Sequence, residues 1–207
     1  MHGLIIENAE TLNLMYLKEV FAVIGDNVEK YNWMMSNYEI HSRSADSFRS
    51  AEYTWFNDEN SITKACNENP YFYWGVATAY CKQILLDDVL KYELPYADCN
   101  RGFWSPDISM QNPLSDIEIV FWHGNLLLVF SKQKSIIEKF VKKYPQSLEL
   151  VQYNMNRLDR VIERDLNNPN KVLVNYSMSF INDYNLEKYI RSDLYIKFKA
   201  LYNQLNK

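Results

Sequence analysis

The sequence predicts an α+β fold: a mainly antiparallel sheet with a central β-hairpin, packed by amphipathic helices, with a helical C-terminus. Three observations lead to this prediction. Residues 115–132, SDIEIVFWHGNLLLVFSK, alternate, turn sharply at a glycine and run apolar again, as a hairpin does. Several other stretches place apolar residues every three or four positions, which is typical of amphipathic helices. The 207 residues are 47% hydrophobic and include only five glycines and six prolines, enough for one substantial core and too few for a long flexible linker.

The first third of the chain predicts a helix, a strand and a long irregular excursion. Residues 9–24 have helical periodicity, with Asn8 as the candidate N-cap and Gly25 where a left-handed C-cap would lie. In residues 31–40, YNWMMSNYEI, large apolar side chains alternate with other residues, which predicts a strand. Residues 41–69 lose periodicity and are polar and acidic, so we expect an excursion with one short helix.

The middle of the chain predicts the centre of the fold. Residues 70–81, PYFYWGVATAYC, have strand character, a short helical patch follows at 84–90, and three prolines exclude regular structure from residues 93–114. In the hairpin, Gly124-Asn125 suits a type II′ turn, and a slightly longer His-Gly-Asn loop is the alternative. Residues 132–144 then form an amphipathic helix that Pro145 ends.

The last third is mainly helical. Residues 147–166 predict one helix and residues 186–205 another, while VLVNYSMSF at 172–180 is a candidate strand. We therefore expect residues 1–153 to form an α+β core domain, and residues 154–207 a helical C-terminal extension packed on the same domain. The alternative is that this extension pairs with another copy of the chain in a homodimer.

The chain has the features of a cytoplasmic protein. No run of residues approaches the roughly 18 apolar positions of a membrane span. Glu7 and Glu10 fall where a signal peptide needs its apolar stretch. The three cysteines, Cys66, Cys81 and Cys99, have spacings that match no metal-binding pair, and their odd number suits reduced thiols.

Reactive residues are sparse, and their arrangement names no reaction. His123, at the hairpin tip, could act as a general base, and together with Cys99 it is the basis of an alternative function, a small cytosolic hydrolase or transferase. The signatures expected around a catalytic cysteine are missing from YADCNRG. Only three histidines are present, and nothing resembles a phosphate-binding loop, so we predict no metal, no cofactor and no catalytic residues, with enzymatic activity left open.

Charge is distributed unevenly along the chain. Residues 1–130 contain 8 Lys and Arg against 18 Asp and Glu, whereas residues 131–207 contain 14 against 8. The basic helices could follow phosphates, but acidic residues interrupt them, and a pI near 5.5 argues against a nucleic-acid partner.

Acidic and aromatic residues are interleaved in the 41–69 excursion and just before it. Aromatic side chains supply contact energy and carboxylates steer a basic partner, so this mixture suits a surface that plugs a cationic cleft. The alternative is that the aromatic side chains fold back on the core. The candidate partner-binding residues are Glu39, Asp46, Glu52, Tyr53, Trp55, Asp58 and Glu59.

Three segments resemble the small cytosolic α+β proteins of uncharacterised bacterial families that include toxin-neutralising immunity proteins. The segments are YNWMMSNYEI, YFYWGVATAY, and DIEIVFWHGNLLLVFSK followed by FVKKYPQSLELVQYN. They cover under half of the chain, and none is a catalytic motif. The resemblance implies a non-enzymatic protein that binds one protein partner tightly, such as a basic toxin domain, and occludes its active site.

Overall fold

The computed structural model describes residues 1–7, 12–41, 46–48 and 52–207. The predicted N-cap Asn8 and part of the 41–69 excursion lie outside the described residues. The chain divides into two compact units: a sheet unit, Met1–Asn100 with Ser109–Leu148, and a helical unit, Arg101–Ile108 with Glu149–Lys207. The sheet unit ends at Leu148, before the predicted domain boundary at residue 153. The helix Leu150–Asn167 therefore lies entirely in the helical unit.

The predicted α+β class is confirmed by a seven-stranded sheet with helices. The strand order is β3-β2-β4-β5-β6-β1-β7, and the pairings among the first six of these are antiparallel. The strands are β1 (His2–Glu7), β2 (Tyr31–His41), β3 (Tyr53–Phe56), β4 (Tyr71–Cys81), β5 (Ser115–Trp122), β6 (Leu126–Ser131) and β7 (Leu148–Glu149). The helices are α1 (Leu17–Ile24), α2 (Glu59–Asn67), α3 (Leu86–Val89), α4 (Lys134–Lys143), α5 (Leu150–Asn167), α6 (Lys171–Asp183) and α7 (Ser192–Leu205).

The predicted hairpin β5–β6 lies in the middle of the sheet. Alternation along β5 places Ile117, Ile119 and Phe121 on one face, where they join the main core, and Glu118 and Val120 on the other. All five side chains are fully buried, so this part of the hairpin is covered on both faces.

Three helices cover the face that carries Phe121. Leu17 and Phe21 of α1, Ile62 of α2 and Phe140 of α4 belong to one apolar cluster with the strands. The predicted helix at 9–24 is shorter than expected because Tyr16 is extended and pairs with the first residue of β4, so that α1 begins only at Leu17. Gly25 lies at the C-cap of α1, as predicted, but its φ of +63° and ψ of −142° are outside the left-handed helical region that was expected.

The excursion at 41–69 is more regular than its sequence indicates. It contains the expected short helix, α2, and also the four-residue edge strand β3, which pairs with β2. So short a strand leaves little periodicity to detect within a polar stretch.

In the helical unit, the predicted strand at 172–180 is wrong, because these residues lie in α6. The Asn170 side chain accepts hydrogen bonds from the backbone N–H groups of Val172 and Leu173 at 3.0 and 3.2 Å, so an N-cap starts a helix where the β-branched residues suggested a strand. The predicted helix at 186–205 is interrupted by extended backbone at Ile190 and Arg191, where Arg191 forms ion pairs with acidic residues of α5.

Candidate functional site

The structure distributes the seven predicted partner-binding residues over several parts of the sheet unit. Tyr53 and Trp55 are half-buried, and the other five are exposed. Glu39 lies near the end of β2, opposite Trp74, and Asp46 lies in the 3-10 turn that contains Phe48. Glu52 precedes β3, whereas Asp58 and Glu59 follow it at the start of α2. The seven residues therefore come from the end of β2, a 3-10 turn, the strand β3 with its preceding residue, and the start of α2.

Part of the excursion's aromatic content folds back on the core, as the alternative interpretation predicts. Phe48 and Phe56 are buried in the main cluster, with ring centroids 5.8 Å apart. Phe48 also contacts Tyr38 and Phe72 at 5.6 Å. These two phenylalanines stabilise the sheet and are not available to a partner.

Tyr53 and Trp55 lie on the opposite face of β3, away from that core. Trp55 pairs with Met34 across the strands and contacts the ring of Tyr80 at 5.6 Å. β3 is the edge strand of the sheet, and both side chains are half-buried. They form a small apolar cluster with residues of the segment that follows β4.

A pocket of about 480 Å³ opens beside Trp55. Its walls come from β2, from the end of β3 and from the chain after β4, and it is lined by Asn32, Trp55, Asn57, Lys82, Ile84, Leu85, Leu86 and Asp87. The Asn32 side chain donates hydrogen bonds to the carbonyl oxygens of Lys82 and Ile84 at 3.3 and 3.1 Å. Lys82 in turn donates to the carbonyl oxygen of Asn57 at 3.3 Å, so polar contacts fix both walls.

The surroundings of this pocket are apolar and acidic. We define the acidic-apolar surface as Tyr53, Trp55, Asp58, Glu59 and residues 84–92. Within it, Leu85, Leu90 and Tyr92 are large side chains exposed to solvent. Asp58, Glu59, Asp87 and Asp88 supply four carboxylates, and the ammonium group of Lys91 is paired with Asp88 at 2.7 Å. The sequence-based prediction did not include residues 84–92, although the adjacent acids Asp87 and Asp88 between Leu86 and Val89 were a visible signal.

Asp58 has a structural role as well as a surface position. Its carboxylate accepts a hydrogen bond from the backbone N–H of Ser61 at 2.9 Å and caps α2. This bond, followed by a weaker one to the Ser61 side chain, lowers the pKa of Asp58 and keeps it ionised. Glu59 follows in the first turn of α2, where a negative charge is favourable.

The chain that follows the acidic-apolar surface is hydrogen-bonded, at Ala97 and Asp98, to a bulge in β2. Asn37 has a φ of +46°, and its side-chain oxygen accepts hydrogen bonds from the backbone N–H groups of Ala97 and Asp98 at 2.8 and 3.3 Å. Opposite the bulge is Gly75, where a Cβ atom would lie 3.0 Å from both Tyr38 and the Phe72 ring. The loop is therefore tied to the sheet by specific backbone geometry.

Gln111, which precedes β5 in the chain, contacts Glu118, the fully buried carboxyl group on β5. Glu118 accepts hydrogen bonds from the backbone N–H and the side-chain amide of Gln111, at 3.0 and 2.8 Å. Loss of hydration outweighs these bonds and raises the pKa of Glu118 to about 7. Burial, and the charge of Glu118 nearby, also raise the pKa of the Tyr80 phenol. Glu118 does not line the pocket beside Trp55, and Gln111 supplies its hydrogen bonds, so we treat it as a structural group.

The hairpin tip is the His-Gly-Asn loop, the longer of the two predicted alternatives, and not the two-residue type II′ turn at Gly124-Asn125. His123, Gly124 and Asn125 connect the strands, with φ of +52° at His123 and +71° at Gly124, the signs expected of a type I′ turn. Gly124 donates to the Tyr73 carbonyl at 2.9 Å and accepts from the Tyr71 hydroxyl at 2.7 Å. The ring of His123 lies 5.5 Å from that of Tyr73, so aromatic contacts and hydrogen bonds hold the tip on β4.

Cys99 and His123 are not joined by a hydrogen bond in the part of the chain that the structure describes. The Cys99 thiol is exposed and donates to Asp98 at 3.4 Å, and this bond, together with the negative charge, raises the pKa of Cys99. A nucleophilic thiol needs the opposite shift. These contacts therefore do not favour the hydrolase or transferase hypothesis.

The described residues contain neither a metal-binding cluster nor a helix able to span a membrane. Within residues 1–7, 12–41, 46–48 and 52–207, His, Cys, Asp and Glu do not cluster in threes as a metal ion would require. Over the same residues, no helix combines the length and apolarity needed to cross a bilayer. No protein-family model, curated protein or solved structure matches the chain.

Proposed function

We propose that this chain is a non-enzymatic binding protein of the immunity type, and that it occludes a bacterial toxin or another protein partner with the acidic-apolar surface. The observation that carries the proposal is the pocket beside Trp55. It joins the half-buried Trp55, the exposed Leu85 and the carboxylate of Asp87 on a backbone fixed by hydrogen bonds.

The apolar part of the surface supplies a reason for tight binding. Leu85 is 64% exposed, and burying a leucine of this kind against a partner contributes about 1.5–3 kcal/mol. Trp55 already rests on Tyr80, so its ring loses little freedom when a partner covers it. A residue of the partner that enters the pocket would contact both side chains.

The carboxylates of the acidic-apolar surface would make it selective for a basic partner. Asp58, Glu59 and Asp87 are exposed, and the hydrogen bonds that lower the pKa of Asp58 keep its charge in place near neutral pH. Carboxylates around an apolar centre favour a basic partner and accelerate its capture at low ionic strength. We therefore propose a cationic cleft as the matching surface.

Co-expression with the product of the adjacent gene tests the proposal. We expect the two proteins to co-purify, and cells that express the adjacent product to survive only when this chain is present. If that product is no toxin, or if the pair neither co-purifies nor protects cells, the immunity function is wrong.

Two matched pairs of variants locate the binding surface. Leu85→Ser removes a side chain that is 64% exposed, and Ile196→Ser removes one that is 68% exposed on α7. Asp87→Lys and Asp193→Lys each reverse a charge in the first turn of a helix. We expect the Leu85 and Asp87 variants to weaken binding by roughly tenfold or more and the α7 variants to leave it unchanged. If the α7 variants weaken binding as much as the Leu85 and Asp87 variants do, the acidic-apolar surface is not the binding surface.

A further inference from the structure

Three of the five arginines of the helical unit, Arg101, Arg157 and Arg164, have different charge environments. Arg101 forms an ion pair with Asp183 at 3.5 Å, and Arg164 forms one with the buried Asp165 at 2.6 Å. Arg157 is half-buried on α5 and has no ion pair or hydrogen bond with any residue that the structure describes. Its guanidinium instead lies over the ring of Trp104, 5.0 Å from the centroid.

A half-buried guanidinium loses part of its hydration, which costs free energy that a paired carboxylate can offset. Contact with Trp104 compensates only in part, since a cation–π contact is weaker than a buried ion pair. Loss of hydration lowers the pKa of Arg157, which reflects this environment, yet an arginine stays charged at neutral pH. The site therefore has a fixed positive charge that the described protein does not neutralise.

Arg157 lines a pocket of about 160 Å³ between α5 and α6. The remaining walls are mostly apolar: Leu158, Val161, Leu173, Tyr176 and Phe180, with Ser177 and the paired Arg164. The Ser177 hydroxyl donates to Asp165 at 2.6 Å, so it is already engaged. Arg101 lies over the rings of Tyr176 and Phe180, 4.6 and 5.0 Å from their centroids, and holds that wall in place.

The volume of the pocket limits the ligand. An apolar cavity of about 150 Å³ accepts one benzene ring. The pocket therefore has room for a body of about that size, and the guanidinium of Arg157 offers two parallel N–H donors to a planar anion.

We propose that the pocket between α5 and α6 binds a small carboxylate carried on an apolar body the size of one aromatic ring, with Arg157 as the group that binds the carboxylate. The apolar walls exclude water from the ion pair and so strengthen it. Phosphate and other strongly hydrated anions lack the apolar body and bind more weakly. This site lies in the helical unit and is independent of the acidic-apolar surface.

Titration of the full chain with benzoate, followed by isothermal calorimetry and by amide chemical shifts, tests the proposal. We expect saturable binding in the millimolar range or tighter, with shifts concentrated in α5 and α6. Benzamide, which has the same shape without the charge, and inorganic phosphate should each bind at least tenfold more weakly. No saturable benzoate binding up to about 10 mM, or equal binding of benzamide, would overturn the proposal.

Three variants assign the binding to the pocket. Arg157→Gln should weaken benzoate binding by roughly ten- to a hundredfold, because a charge-assisted bond is lost. Arg160→Gln, one turn along on the exposed side of α5, should leave it unchanged. Leu173→Trp should abolish binding by filling the pocket from its exposed rim while Arg157 remains, which keeps the test decisive if the Arg157 variant folds poorly. Equal effects of the two arginine variants, or full binding by Leu173→Trp, would contradict the assignment.

Discussion

Glu118 gives the sheet unit a stability that depends on pH in an unusual direction. Most carboxylates in folded proteins are stabilised as anions, whereas burial raises the pKa of Glu118 from 4.5 to about 7. Between these values the folded state binds more protons than the unfolded state. The contribution of this group to the free energy of unfolding is therefore fully present below about pH 4.5 and is lost as the pH rises through about 7.

The size of the effect follows from the same two values. Each tenfold change in proton affinity corresponds to about 1.4 kcal/mol, so Glu118 should cost the folded state about 3 kcal/mol at pH 8 relative to pH 4.5. Glu118→Gln cannot ionise and removes this dependence. We expect the difference in unfolding free energy between the variant and the wild type to move by about 3 kcal/mol in favour of the variant over that range.

Urea unfolding followed by tryptophan fluorescence measures this difference. Four of the five tryptophans, Trp33, Trp55, Trp74 and Trp122, lie in the sheet unit and report on the strands around Glu118. Glu93→Gln is the control, because it makes the same chemical change at an exposed residue. A Glu118→Gln curve that runs parallel to the wild type from pH 4.5 to 8 would refute the reasoning. The reasoning would also be refuted if Glu93→Gln differed from the wild type by an amount that changes with pH as much as that of Glu118→Gln.

Two further predictions concern backbone geometry and buried amides. Gly75→Ala should lower the free energy of unfolding by about 1–3 kcal/mol, because the new methyl group would lie 3.0 Å from Tyr38 and Phe72; denaturant titration measures this, and an unchanged midpoint would contradict it. Asn154→Ala should destabilise the helical unit by about 2–4 kcal/mol, because the buried Asn154 amide donates to two backbone carbonyls at 2.8 and 2.9 Å; amide exchange in α5 and α7 should accelerate, and unchanged exchange there would show that the two bonds contribute little.

The long periodic elements were predictable from the sequence, and the short or interrupted ones were not. The hairpin β5–β6 and the helix α5 have many residues of consistent pattern, so local sequence decides them. The strand β3 has four residues and depends on pairing with β2, a contact across the chain that its own sequence does not encode. At α6, the apolar residues Val172, Leu173 and Val174 favour a strand in the sequence-based prediction. The capping Asn170 indicates a helix instead, and the structure has a helix there.

The candidate site was predictable only in part, for a similar reason. Composition indicates Trp55 and Asp58, but the acidic-apolar surface also contains Leu85 and Asp87, about thirty positions later. The bond from Asn32 to the chain after β4 brings these parts together, and no local pattern predicts it. Arg157 looked like one of several basic residues on a solvated helix face, because its lack of an acidic partner is visible only in three dimensions.

Hydrogen–deuterium exchange on the complex with the adjacent gene's product tests the proposed binding mode most directly. If the acidic-apolar surface is the contact, amide exchange should slow in residues 53–59 and 82–92 when the complex forms, and the face of α7 around Ile196 should exchange as in the free protein. Slower exchange confined to α7 or to the hairpin tip at His123, with residues 53–59 and 82–92 unchanged, would contradict it.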